Sequence, residues 1–119
     1  MSVKPDTWIE KMAREYEMIK PFSKDRIVKR KISSGLSSYG YDISLADEFR
    51  FLKKGITLVD PKHIKETDFI TQKLDFCVIP PSSFILARSK EYFRIPRNII
   101  TICLGKSTYA RCGVIVNVT

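Results

Sequence analysis

At 119 residues the chain has the length of one domain, and a composition of 44% hydrophobic and 29% charged residues lies outside the range of disordered chains. A formal net charge of +8 draws anions, whether nucleoside phosphates, nucleic acid or acidic lipid. No apolar run exceeds strand length, which excludes a transmembrane helix, and MSVKPDTWIEKM lacks the apolar stretch of a secretory signal, so a cytoplasmic location is expected.

Residues 7–19 form the first predicted element. Trp8, Ile9, Met12, Ala13, Tyr16 and Ile19 fall on one face at helical spacing. Thr7 with Glu10 three residues later is a capping-box pattern, and Pro21 is the expected stop. Trp8 and the methionines of this stretch read as core packing. The basic residues are scattered, with one local run at Lys29, Arg30 and Lys31, and are expected on solvated surface.

From Tyr39 onward the pattern changes to short runs rich in β-branched and aromatic residues: YDISL, EFRFL, ITLV, LDFCVI, SFILAR, YFRI, IITICL and GVIVNV. Strands without intervening helical patterns predict a mainly β sandwich or barrel in a single domain, 1–119. The last run reaches Thr119 with no turn or polar tail after it, so the expectation is a truncated domain whose C-terminal part is missing. Cys77, Cys103 and Cys112 lie in or beside apolar runs and are expected as buried free thiols.

The stretch GKSTYARCG, residues 105–113, concentrates the groups that phosphate chemistry uses. It is not a Walker A loop, because the early glycine of that pattern is here Ile100, within a predicted strand, and no βαβ unit surrounds it. Ser107 or Thr108 could cap a short helical turn that Gly113 ends in the left-handed conformation. Lys106 adds a point charge, and Arg111 a fork suited to phosphate oxygens. By spacing alone, a phosphate-binding turn and an ordinary solvated turn both remain open.

Metal chemistry has little support in the sequence. The one histidine, His63, sits in a DPKHIKE loop, and the cysteines are 26 and 9 residues apart, so no zinc ligand set of the deaminase type is present. Asp42 interrupts the apolar, aromatic segment SYGYDISLADEF; a carboxylate buried there needs partners, and a structural hydrogen-bonding role is favoured over catalysis.

WIEKMAREYEMIKPF, SSYGYDISLADEF, IPPSSFILARSKEYFRIP and LGKSTYARCGVIVNVT occur in this order along the chain. Together these segments resemble the corresponding parts of bacterial dCTP deaminases, from the first residues to Thr119. The resemblance implies a dUTPase-like distorted β-barrel or jelly roll with an N-terminal amphipathic helix, assembled as a homotrimer or homohexamer with sites between subunits. It implies hydrolytic deamination of dCTP to dUTP and ammonia, supplying dTTP precursors, with dTTP as an inhibitor and neither nucleic acid nor membrane as partner. It assigns Lys106, Ser107, Thr108, Tyr109, Ala110 and Arg111 to substrate binding, with Ser107 and Arg111 supporting catalysis at the triphosphate and the attacking water. The general-base glutamate of that family lies downstream of the NVT segment, so no catalytic base is assigned here and the 119 residues alone are expected to be inactive. The implied chemistry is metal-free at the base, without zinc, and magnesium enters only as counterion of the triphosphate. Two other readings remain: a bifunctional enzyme that continues through dUTP to dUMP and diphosphate, and a non-catalytic nucleotide- or nucleic-acid-binding β module.

Overall fold

The computed structural model describes residues 2–24, 27–29 and 32–117. Arg30 and Lys31 of the basic run, and the last two residues of the final apolar run, lie outside them. The elements in chain order are helix α1 (Asp6–Tyr16), strands β1 (Ile19–Lys20), β2 (Ile27–Lys29), β3 (Ile32–Ser37), β4 (Gly40–Asp42) and β5 (Leu45–Leu52), a 3-10 turn (Glu66–Asp68), strands β6 (Phe69–Lys73), β7 (Ile85–Ser89) and β8 (Tyr92–Phe93), and the one-turn helix α2 (Ser107–Ala110). They fall into two compact units, Met1–Asp42 with Glu91–Thr119, and Ile43–Lys90. The described protein is mainly β, as the sequence predicts. In neither unit do the described strands close into a barrel.

In the first unit α1 lays its apolar face on the core. Ile9, Ala13, Met18, Ile19 and Leu36 are buried, and Trp8, Met12, Phe22, Tyr41, Phe93 and Ile95 pack around them. Ile9, Met18, Ile19 and Leu36 each contribute roughly 1.5–3 kcal/mol when fully removed from water. The helix differs from the expected 7–19 at both ends. It begins one residue earlier, at Asp6 after Pro5, whose carbonyl accepts the Trp8 and Ile9 amides at 3.1 and 3.0 Å. Thr7 is therefore inside the helix and cannot cap it, while the Glu10 carboxylate is engaged by Arg14 at 2.9 Å and Lys24 at 3.2 Å. Pro21 does not stop the helix; Glu17 does, in the left-handed conformation at φ 50°. The amides of Glu17 and Met18 both donate to the Met12 carbonyl, satisfying the helix end within the chain itself.

Strand β3 is central in a three-stranded antiparallel sheet, between β2 and β4, while β1 pairs with β8. The sequence ISSGLS shows little β propensity, yet ladders on both sides hold it extended. Gly35 takes φ 89° within that strand, a value that side chains disfavour. The Ser38–Tyr39 turn then returns the chain into β4, with Ser37 opposite Gly40, and the Ser38 carbonyl accepts the Asp6 amide at 2.9 Å.

In the second unit β5 lies between β6 and β7, both antiparallel to it, with a register shift against β7 between Leu45 and Phe49. Phe49, near its centre, is the buried hydrophobe of this unit among the described residues. Arg50 lies over the Phe69 ring at 5.2 Å and pairs with Glu66 of the 3-10 turn.

Four runs expected as strands carry no ladder among the described residues: 56–59, 74–79, 99–104 and 113–117. Most of their apolar side chains are exposed, Ile100 at 80% and Ile115 at 92%, while Ile56, Leu74, Ile99 and Val114 are half-buried. Strand propensity expresses how a side chain fits a pleated, half-covered surface, and among the described residues these runs have no paired strand to supply one. The same exposure overturns part of the cysteine expectation. All three thiols are free, but Cys103 and Cys112 are exposed and Cys77 is half-buried.

Candidate functional site

Residues 105–113 form a tight reversal. Lys106, extended at φ −109°, precedes α2 and its carbonyl accepts the Tyr109 and Ala110 amides at 3.0 Å. Neither Ser107 nor Thr108 caps the turn, because both lie inside it. The other end follows the expectation from Gly113: at φ 74° its amide donates to the Ala110 carbonyl, and the Val114 amide donates to the Tyr109 carbonyl, each at 3.0 Å. This pair of bonds is the Schellman closure, which needs a residue tolerant of positive φ at that point. Beyond it the chain doubles back, so that a Cβ on Gly105 would meet the Val116 side chain at 3.9 Å, an ordinary contact.

The turn places Ser107 and Arg111 one helical turn apart, with the Arg111 amide donating to the Ser107 carbonyl at 3.0 Å. Both residues are exposed, as are Tyr109 and Ala110, while Lys106 and Thr108 are half-buried. Among the described residues Arg111 makes no ion pair, so its guanidinium keeps its full set of donors.

Lys106 is differently disposed. Its ammonium lies 2.8 Å from Asp42 Oδ2, at the end of β4, and donates to Ser33 Oγ of β3. Ser33 Oγ in turn donates to Asp42 Oδ2 at 2.6 Å. The pleat explains why these two meet: Asp42 pairs with Gly35, and Ser33 lies two residues along on the same face, a diagonal cross-strand neighbour. Asp42 thus has the structural partners expected of it. Sequence reasoning missed Ser33 and the link to Lys106; the isolated carboxylate in an aromatic segment was the visible signal that such a partner existed.

Close by in the same unit, the Tyr41 hydroxyl accepts the Ser23 amide at 3.0 Å and its ring stacks on Phe22 at 5.7 Å. Burial pushes the Tyr41 phenol above its ordinary value, against the lowering effect of the Ser23 amide and with a smaller upward push from Glu91. His63 is exposed in its loop and sits 2.7 Å from Asp60, whose carboxyl is held below the usual range by the histidine and by the Lys62 amide. Among the described residues no group of three or more His, Cys, Asp or Glu side chains could hold a metal ion, and no helix is long and apolar enough to cross a membrane.

A family model described as dCTP deaminase-like matches residues 3–119. The chain belongs to the dCTP deaminase-like family. Among its relatives are proteins named dCTP deaminase from Nitrosomonas europaea, 58% identical, and from Laribacter hongkongensis and Burkholderia cenocepacia, each 57% identical. Each match covers 100% of this chain and 66% of the relative, so the chain spans just under two thirds of their length. In the dCTP deaminase-like chain the reversal at 105–113 carries lysine, two hydroxyls and arginine within six consecutive residues.

Proposed function

We propose that the protein of which this chain is a part deaminates dCTP by hydrolysis, consuming water and releasing dUTP and ammonia. The observation that carries this reading is the family match across 3–119, which includes the KSTYAR turn. In this reading Lys106, Ser107, Thr108, Tyr109, Ala110 and Arg111 line the substrate, with Arg111 and Ser107 facing the triphosphate and the attacking water. An arginine fork and a hydroxyl on one helical turn suit an anion and a water together. The proton-abstracting glutamate belongs to sequence following residue 119, and the 119 residues alone carry no turnover. The base is attacked without a metal, and magnesium accompanies the triphosphate as counterion. The working form is a cytoplasmic homotrimer or homohexamer, with dTTP as an inhibitor.

Purified full-length protein given dCTP is the direct test, with ammonia and nucleotide products measured together. Ser107→Ala and Arg111→Ala should each lower kcat/KM by about a hundredfold or more, the usual cost of losing one preorganised donor. Arg111→Lys should recover little, because a point charge does not reproduce the fork. Absence of dUTP and ammonia from the unsubstituted protein would defeat the reading, and stoichiometric diphosphate with dUMP would move it to the bifunctional enzyme.

A further inference from the structure

Lys106 is the member of the segment 106–111 whose side chain is already engaged among the described residues, and its partners come from a hairpin more than sixty positions earlier in the chain. The three groups are mutually linked: ammonium to carboxylate at 2.8 Å, hydroxyl to the same carboxylate oxygen at 2.6 Å, and ammonium to hydroxyl. The set is partly withdrawn from water, with the Lys106 side chain 34% and the Asp42 side chain 20% exposed. An ammonium has three donors. Two are used here, and the third remains.

We infer that Asp42 and Ser33 are positioning residues that hold the Lys106 ammonium in place as a contact for the substrate's phosphate oxygens, an inference that rests on the proposed nucleotide site at 105–111. Two effects of Asp42 oppose each other. Its negative charge weakens the field that an incoming triphosphate meets, while its hydrogen bonds fix a flexible four-carbon stem that would otherwise lose its rotamer freedom on grasping an anion. Positioning prevails in this geometry because the carboxylate is shared: Ser33 donates to the same oxygen and takes up part of its charge. The hairpin register that puts Ser33 diagonal to Asp42 thereby becomes part of the substrate site.

The test is a double-mutant cycle on dCTP turnover in the full-length protein, with Asp42→Asn, Ser33→Ala, Lys106→Met and each of the first two combined with the third. Asp42→Asn and Lys106→Met should each raise KM roughly tenfold, with kcat within about twofold, since the lost contact is equally present in ground and transition states. In the Lys106→Met background Asp42→Asn should add nothing further. Ser33→Ala removes only the bridging hydroxyl and should raise KM about threefold, again without effect once Lys106 is gone, so it carries the test if Asp42→Asn fails to fold. An unchanged or lowered KM in Asp42→Asn, or full additivity in the double variants, would overturn the positioning role while leaving the deaminase reading intact. An unchanged KM in Lys106→Met would overturn it too. No dCTP turnover by the unsubstituted protein would strike the underlying reading instead.

Discussion

The Val114 amide donates to the Tyr109 carbonyl at 3.0 Å, and with the Gly113 bond to Ala110 it locks the end of the turn that carries Ser107 and Arg111. Gly113 is the hinge of this closure, and open space surrounds the position its Cβ would take. Gly113→Ala should therefore cost about 1–2 kcal/mol from backbone conformation alone. Gly113→Asn should cost clearly less, because asparagine tolerates the left-handed region. Thermal melts of the two variants check this, and equal losses would contradict a conformational cause.

The packing of α1 gives a larger effect. Ile9 and Leu36, each 8% exposed, meet in the core of the first unit. Truncation of either to alanine should destabilise by about 2–5 kcal/mol. Because both belong to one cluster, the double variant should depart from additivity, which denaturant midpoints of the four forms would show.

Acid should loosen the end of α1 through Glu17. Lys20 chiefly, by its hydrogen bond and its charge, and then Arg94 hold the Glu17 carboxyl below its ordinary value of 4.5. A carboxylate with a lowered folded value adds stability that is fully present above pH 4.5 and lost as pH falls through the folded value. Trp8 fluorescence followed downward from pH 6 should shift in that range, and Glu17→Gln should remove this part of the shift. An identical acid profile in Glu17→Gln would show that Glu17 does not couple to the fold.

Arg50 offers a prediction of near-neutrality. Its Nε is buried and has no hydrogen-bond partner among the described residues, while its pair with Glu66 is mostly exposed at the glutamate. Replacing it with methionine keeps an apolar stem over Phe69 and removes the unpaired donor, so stability should change by no more than about 1 kcal/mol. A loss well above 2 kcal/mol in chemical denaturation would mean that the guanidinium holds more than Glu66.

Much of the fold was legible. The apolar stripe from Trp8 to Ala13 marked α1, and the Gly113 expectation matched the closure of the turn, because helical periodicity and a left-handed glycine are local properties of the chain. The capping of α1 was not legible. The helix starts one residue earlier than the pattern implied, which places Thr7 inside it, and Glu10 pairs with Arg14 and Lys24. ISSGLS and FITQK are strands because β2, β4 and β5 offer them ladders, whereas IITICL, with far stronger propensity, has none among the described residues.

For the candidate site the division is the same. Sequence alone determined that Lys106, Ser107 and Arg111 stand close together, since six consecutive residues cannot separate, and that Asp42 needed a partner. Only the tertiary structure decided that Lys106 and Ser33 are among its partners. Hydrogen bonds between residues 33, 42 and 106 depend on which strands pair and in what register, and pairing over such separations is settled by the whole fold.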